Sequence, residues 1–255
     1  MSTPEPAYRS VIFDCDSTLS TLEGIEELAA DHREEVAALT ASAMRGEVPL
    51  EAVYGQRLEL IQPTRAAVEG IVSLYIETVV EDAAAVVAGL QVAGVEVRVI
   101  SGGLLPAVAG LARHLGVPEH LVAAVPIHFS DDGAYAGFDA QAHAARAGGK
   151  AEVVRAWKTD PDHPLPGPTI LVGDGATDLE AAEEVDLFVA YAGVVARPNV
   201  TRAAPAVLRS RSLAPILPLA VGDRWPDHGA PGNAFRTLLR RGEALIRDGA
   251  LQWNQ

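Results

Sequence analysis

The segment Val11-Ile12-Phe13-Asp14-Cys15-Asp16-Ser17-Thr18 joins an apolar run to two closely spaced aspartates. Three consecutive apolar residues of this type favour a strand that is covered on both faces, as in a parallel sheet. Ligands of such sheets lie just beyond the carboxyl ends of the strands. The segment therefore predicts a buried strand that delivers two carboxylates to a reaction centre, one able to act as a nucleophile and the other to carry a proton.

Two other interpretations of the aspartate pair need to be weighed. A calcium-binding EF-hand loop would require Gly at about position six and Glu at about position twelve. Counted from Asp14, these positions hold Leu19 and Ile25, which excludes that loop. A turn or helix cap formed by Asp16, Ser17 and Thr18 remains open on this segment alone.

Two later segments also place polar residues where a phosphate could be bound. The alternating run Val95–Ile100 predicts a strand that leads into Ser101-Gly102-Gly103, where a hydroxyl and backbone amides could hold an anionic oxygen at the start of the next helix. Gly148-Gly149-Lys150 places a lysine at the start of a helix that continues through Trp157. Taken singly, the first segment also fits an ordinary loop, and the second fits a solvated lysine.

The fourth segment gives the strongest signal. Thr169–Gly173 predicts another buried strand, and Asp174-Gly175-Ala176-Thr177-Asp178 follows it directly. Two more carboxylates would then reach the sheet edge that already holds Asp14 and Asp16. Oxygen ligands of this kind suit a magnesium site.

Together these four segments resemble the four motifs of the haloacid dehalogenase superfamily of phosphatases, which fall on Asp14–Thr18, Ser101, Lys150 and Asp174–Asp178. Additional stretches are similar to one branch, the phosphoserine phosphatases: Leu22–Ala29, Ala43–Pro49, Arg57–Pro63 and Ala136–Asp139. The resemblance covers roughly residues 8 to 210. Glu81-Asp82 departs from it, because a Pro-Gly pair is more usual there.

The resemblance implies hydrolysis of O-phospho-L-serine to L-serine and phosphate, the last step of serine biosynthesis, through an aspartyl phosphate. Asp14 would be the nucleophile, and Asp16 would be the general acid and base. Mg²⁺ would be held by the Asp14 carboxylate, the Asp16 backbone carbonyl and Asp174. Asp178 would orient these ligands rather than bind the metal.

The resemblance also assigns residues that bind the substrate. The phosphate would be held by Ser101, Gly102 and Lys150. The rest of the substrate would be bound by Glu23 at the ammonium, Arg57 at the carboxylate, and Met44, Gly103 and Thr177 in the pocket. From the residues alone, Glu23 also fits a first-turn helix acid, and Arg57 fits an exposed partner of Glu59 or Glu51.

The order of the segments predicts an α/β fold, a doubly wound parallel-sheet (Rossmann-like) core formed by residues 8–20 and 81–210. Residues 21–80 are too long for a plain connection and predict a helical cap domain inserted after the first strand. A hairpin around Ser130-Asp131-Asp132-Gly133 would project beside the site. Residues 211–255 predict a C-terminal extension with one amphipathic helix, capped by Asn233.

The amino-acid composition limits the classes of partner that we expect this protein to bind. The net charge is −14, from 34 acidic and 20 basic residues, which disfavours nucleic acid and anionic membranes as partners. A single cysteine excludes an internal disulfide, and Met1 to Arg9 lacks the features of a signal peptide. We therefore expect a cytoplasmic protein, a monomer or homodimer, that acts on a small phosphomonoester. The alternatives are a related phosphatase or phosphotransferase, for instance one for phosphohomoserine, and a protein that binds phosphoserine without turnover.

Overall fold

The computed structural model describes residues 6–29, 32–44, 50–222 and 232–254. Nine strands lie within these ranges: β1 (Ser10–Phe13), β2 (Glu96–Leu104), β3 (Val122–Val125), β4 (Ile127–Phe129), β5 (Tyr135–Phe138), β6 (Thr169–Gly173), β7 (Leu187–Tyr191), β8 (Ala206–Leu208) and β9 (Leu251–Trp253). Eleven α-helices accompany them: α1 (Gly24–Leu28), α2 (Arg33–Met44), α3 (Leu50–Ile61), α4 (Arg65–Glu77), α5 (Ala83–Val92), α6 (Leu105–His114), α7 (Gly149–Thr159), α8 (Ala176–Glu180), α9 (Pro198–Ala203), α10 (Ile216–Val221) and α11 (Gly232–Arg247).

Seven strands form one twisted sheet in the order β3-β2-β1-β6-β7-β8-β9, and β1 lies near its middle. Its first six strands pair in parallel, whereas β9 is antiparallel to β8. Successive side chains of a strand point to opposite faces. Val11 and Phe13 accordingly pack into one apolar cluster and Ile12 into another. Because both faces are covered, the predicted doubly wound α/β fold is confirmed.

The strand β2 is longer than the sequence predicts. It continues through Ser101, Gly102 and Gly103 to Leu104, and its register with β3 shifts between Ile100 and Leu104. The helix α6 begins only at Leu105. The Ser-Gly-Gly segment thus lies directly before that helix, as expected, although its glycines belong to an irregular strand end.

The helices α1 to α4 lie in the predicted cap segment. An antiparallel bridge between Ser20 and Val79 joins the two ends of this segment at the edge of the core. The helix α4 packs closely on α6, where a Cβ on Gly110 would stand 2.6 Å from a methyl carbon of Val72. This close approach holds the last cap helix against the core.

The predicted hairpin is formed by β4 and β5 and supports the cap. The ring of Phe138 lies 5.2 Å from that of Tyr54 on α3. The guanidinium of Arg65, the first residue of α4, lies 4.9 Å from the centroid of the Phe129 ring. The hairpin therefore contacts two helices of the cap segment.

The C-terminal extension packs back on the core and contains more than the predicted single helix. It supplies α10, α11 and β9, and β9 extends the sheet by pairing with β8. The helix α11 buries Phe235, Leu238 and Leu239. It begins at Gly232, so Asn233 lies inside the helix and is not its cap.

The extension also binds the Glu81-Asp82 pair, which directly follows the cap segment. Arg241 of α11 forms ion pairs with both carboxylates, at 2.7 Å from Asp82. The Ser212 hydroxyl donates to Asp82 at 2.6 Å, and the Leu213 amide donates to the Glu81 carbonyl at 3.0 Å. The unusual acidic pair is thus one of the points at which the extension is attached to the core.

A buried arginine fastens the loop before β6. Arg98 of β2 is 1% exposed, pairs with Glu96 at 2.7 Å, donates to the His163 carbonyl at 2.8 Å and lies 5.1 Å from the centre of the Trp157 ring. We expect Arg98→Ala to lower the free energy of unfolding by about 2–4 kcal/mol, because it leaves a cavity and an unpaired carbonyl. Urea denaturation measures this.

The matched control is Arg113→Ala, which removes an exposed arginine paired with Glu119. That change should cost at most about 0.5 kcal/mol, as exposed pairs contribute little. A loss no larger for Arg98→Ala than for Arg113→Ala would contradict the structural role of Arg98.

Candidate active site

Predicted site residues of the four motifs meet near the carboxyl ends of three neighbouring strands, β1, β2 and β6. Most of them, together with residues of the cap segment, surround a cavity of about 210 Å³. The cavity is lined by residues of the core and of the cap segment: Asp14, Asp16, Glu23, Ile25, Tyr54, Arg57, Gly102, Gly103, Ala144, Ala145, Lys150, Asp174, Gly175, Thr177 and Arg197. Parallel strands bring these residues to one edge although they are far apart in sequence.

Lys150 joins two carboxylates at the bottom of the site. Its Nζ lies 2.8 Å from Asp14 Oδ1 and 2.6 Å from Asp178 Oδ1. The other oxygen of Asp178 accepts from the Gly175 amide at 3.0 Å. Gly173 makes room for this arrangement, because a Cβ there would stand 2.3 Å from the Asp178 carboxylate carbon. The lysine is therefore held by two acids from different motifs.

Burial and neighbouring charges shift the pKa values of Asp14 and Lys150. Asp14 is 6% exposed and Lys150 4%. Burial and the Asp178 carboxylate raise the pKa of Asp14, while Lys150 acts in the opposite direction. Burial alone would lower the pKa of Lys150, but the two carboxylates outweigh it and raise that pKa. The two carboxylates therefore favour the charged form of Lys150 beside Asp14.

Three carboxylates are arranged so that they could share a cation. One oxygen each of Asp14, Asp174 and Asp178 lies within 4.8 Å of the others. Such an all-oxygen set fits a hard divalent cation such as Mg²⁺. Both oxygens of each of the last two acids accept hydrogen bonds. Asp174 accepts from Thr18 at 3.4 Å and Arg197 at 2.8 Å, and Asp178 accepts from Lys150 at 2.6 Å and the Gly175 amide at 3.0 Å.

Asp16 stands beside the cavity and accepts three hydrogen bonds. Its Oδ1 accepts from the Tyr75 hydroxyl at 2.5 Å and from the Gly24 amide at 2.8 Å. Its Oδ2 accepts from the Ser101 hydroxyl at 3.3 Å. The Ser101 hydroxyl also accepts from the Gly103 amide at 2.9 Å. Ser101 is therefore a fully buried neighbour of Asp16 rather than a lining residue of the cavity.

The cap segment contributes Glu23 and Arg57 to the opposite wall. Burial, together with the nearby Asp16, raises the pKa of Glu23 to about 7. The Nε of Arg57 on α3 is buried and finds no hydrogen-bond partner among the described residues. Thr177, in the first turn of α8, also lines the cavity. Met44 ends α2, but its side chain lies outside the described part of the chain.

Sequence reasoning missed three lining or supporting residues. Arg197 lies at the start of α9 and pairs with Asp174 at 2.8 Å and Glu23 at 3.2 Å. It follows β7, so its place after another parallel strand was a usable signal. Tyr54 and Tyr75 lie on cap helices, where an aromatic residue is usually interpreted as part of the core.

Comparison with known proteins places this geometry in a family. Residues 8–186 match the family model described as haloacid dehalogenase-like hydrolase. The chain is 37% identical over 193 residues to the phosphoserine phosphatase of Bos taurus, which covers 75% of this chain and 84% of the relative.

Two solved structures are similar as well. One is a phospho-aspartyl intermediate analogue of phosphoserine phosphatase, at 27% identity and a TM-score of 0.69, covering 83% of this chain and 98% of the other. The other is a substrate-bound phosphoserine phosphatase complex, at 26% identity and a TM-score of 0.70 over the same shares. This chain therefore belongs to the haloacid dehalogenase-like hydrolases.

Proposed function

We propose that this protein hydrolyses O-phospho-L-serine to L-serine and phosphate, with Mg²⁺ as its cofactor. The observation that carries the proposal is the cavity whose floor is Asp14, Lys150 and Asp174 and whose cap wall carries Glu23 and Arg57. The floor suits a phosphate, while an acid and an arginine complement the ammonium and carboxylate of serine. The similar proteins named phosphoserine phosphatase support the same substrate.

Asp14 is the proposed nucleophile. Its carboxylate attacks phosphorus, the bond from phosphorus to the serine oxygen breaks, and an aspartyl phosphate forms. Lys150 lies 2.8 Å from this carboxylate and offers a positive charge to the phosphoryl oxygens as charge spreads over them. The Gly102 backbone lines the same floor, and we assign it with Ser101 and Lys150 to the phosphate side of the site.

Asp16 is the proposed general acid and base. It gives a proton to the departing serine oxygen and then takes one from the water that attacks the aspartyl phosphate. Attack of that water frees Asp14 and releases phosphate. The position of Asp16 beside Gly103 supports its role as acid and base, because a Cβ on Gly103 would stand 3.0 Å from Asp16 Oδ2. The glycine leaves that oxygen accessible from the cavity.

The metal would be held by the Asp14 carboxylate, the Asp16 backbone carbonyl and Asp174. When bound, Mg²⁺ supplies positive charge that keeps Asp14 ionised and neutralises phosphate oxygens. Asp178 would orient the site through its hydrogen bonds with Lys150 and the Gly175 amide.

Substrate selection would depend on the cap segment. Arg57 has a buried Nε in need of a partner, which a carboxylate supplies. Glu23 would face the ammonium, with Met44, Gly103 and Thr177 completing the pocket. We place the reaction in the cytoplasm, since the single cysteine suits a reducing compartment. The reaction would be the last step of serine biosynthesis, carried out by a monomer or homodimer.

The test is phosphate release from a panel of phosphorylated amino acids and phosphoethanolamine, with Mg²⁺ and with EDTA. We expect phosphoserine to be the best substrate, steady turnover rather than one event, and loss of activity in EDTA. A preference for phosphohomoserine would overturn the substrate. Binding of phosphoserine without turnover would overturn the enzymatic proposal.

Arg57 gives the panel its sharpest comparison. Phosphoethanolamine lacks only the carboxylate, so the native enzyme should prefer phosphoserine by about 10²-fold in kcat/KM. Arg57→Ala should bring this ratio close to one by lowering activity on phosphoserine far more than on phosphoethanolamine. The control, Arg65→Ala, removes a cap guanidinium that contacts Phe129 instead of lining the cavity and should keep the ratio. Equal losses on both substrates for Arg57→Ala would refute the carboxylate role.

A further inference from the structure

Tyr75 makes a short hydrogen bond to Asp16 that the reaction scheme above does not use. Tyr75 lies near the end of α4 and is 1% exposed. Its hydroxyl donates to Asp16 Oδ1 at 2.5 Å. Bonds of this length between a hydroxyl and a carboxylate are charge-assisted and about twice as strong as neutral ones.

The neighbouring backbone is shaped around this bond. A Cβ on Gly24 would stand 2.2 Å from the Tyr75 hydroxyl oxygen, so only glycine leaves room for the phenol. The Gly24 amide donates to the same Asp16 oxygen at 2.8 Å. Gly24 is the first residue of α1, whose amide has no partner inside its own helix. Two cap helices therefore converge on one oxygen of Asp16.

The two oxygens of Asp16 are held unequally. Among the described residues, Oδ1 receives two close donors from the cap segment, whereas Oδ2 receives only the Ser101 hydroxyl at 3.3 Å from the core. Oδ2 is also the oxygen that approaches Gly103 of the cavity wall. The hydrogen bonds thus fix the carboxylate plane and leave Oδ2 as the oxygen that faces the reaction.

We propose that Tyr75 is a positioning residue for proton transfer: its hydroxyl, together with the Gly24 amide, anchors Asp16 Oδ1 so that Oδ2 meets the leaving oxygen. This inference rests on the proposed phosphatase reaction. It makes proton transfer by Asp16, a residue of the core, depend on α4, a helix of the cap segment. Tyr75 itself does not line the cavity; it contacts Asp16, which does.

The first test uses the leaving group. Serine leaves as an alkoxide and needs the proton from Asp16, whereas 4-nitrophenolate is a stable anion and needs none. We expect Tyr75→Phe to lower kcat/KM for phosphoserine about 10- to 30-fold and that for 4-nitrophenyl phosphate by less than about 3-fold. This ratio reports the formation of the phosphoenzyme, where Asp16 acts as an acid.

The second test is a double-mutant cycle that needs phosphoserine alone. In an Asp16→Asn background, where no proton can be supplied, Tyr75→Phe should change the residual kcat/KM by less than about 2-fold. Equal losses in the native and Asp16→Asn backgrounds would overturn the proposal. The same holds if both phosphate esters lose activity equally, because a general packing role predicts that result.

Tyr191→Phe is the matched control. It deletes another buried tyrosine hydroxyl, which donates to the Arg211 carbonyl at 2.9 Å outside the cavity lining. It should leave the ratio between the two esters unchanged. If the native protein releases no phosphate from phosphoserine, the proposed function itself fails. If the native protein is active and Tyr75→Phe behaves like Tyr191→Phe, only the role of Tyr75 fails.

Discussion

Replacing Asp14 with Asn is expected to abolish turnover, with a loss of about 10⁴-fold or more in kcat, while the fold is retained. An amide has nearly the volume of a carboxylate but is a poor nucleophile at phosphorus. Lys150 keeps its other counterion, Asp178, at 2.6 Å, so the site should not collapse. The measurement is phosphate release, combined with mass spectrometry of acid-quenched protein to detect the aspartyl phosphate.

The matched control is Asp178→Asn, which alters the other carboxylate bound to Lys150. It should lower activity yet still permit the phosphoenzyme to form. Beryllium fluoride with Mg²⁺ mimics an aspartyl phosphate and should inhibit the native enzyme and the Asp178 variant but not bind Asp14→Asn. Substantial turnover by Asp14→Asn would show that another group attacks phosphorus.

Replacing Lys150 with Met is expected to lower kcat/KM by about 10³-fold, the scale seen when one preorganised donor to a developing charge is removed. The side chain keeps similar length and burial but loses the charge that pairs with Asp14 and Asp178. Lys150→Arg, which keeps the charge with a different shape, should retain more activity than Lys150→Met. Similar activity of Lys150→Met and the native protein would contradict an electrostatic role.

The same variant should change the pH dependence of stability in metal-free buffer. Burial raises the pKa of Asp14, and the positive charge of Lys150 partly offsets this rise. Removing Lys150 therefore raises the pKa of Asp14 further. The folded state then holds a proton that the unfolded state releases, and stability must fall as pH rises above the unfolded pKa of about 4. We expect Lys150→Met to lose more unfolding free energy at pH 8 than at pH 5, measured by urea denaturation. A loss independent of pH would contradict the coupling.

The local sequence determined the sheet and the floor of the site. An apolar run followed by acids can be recognised from adjacent residues, because burial on both faces and the carboxyl end of a strand are local properties. Asp14, Lys150, Asp174 and Asp178 meet as the sequence predicts. The order of the four segments along the chain also predicts the doubly wound arrangement, which the structure confirms.

Contacts of residues outside the four motifs were decided by the tertiary structure alone. Tyr75 reaches Asp16 across 59 positions of sequence, and a tyrosine on an amphipathic helix looks the same in sequence whether its hydroxyl meets solvent or a carboxylate. Arg197 is likewise a lone arginine until α9 brings it to Asp174. Arg241 and β9 attach the extension to Glu81-Asp82 and β8 through pairings that no local pattern specifies. The physical reason is that such contacts depend on how whole elements pack, whereas the sequence pattern reports only which face of each element is apolar.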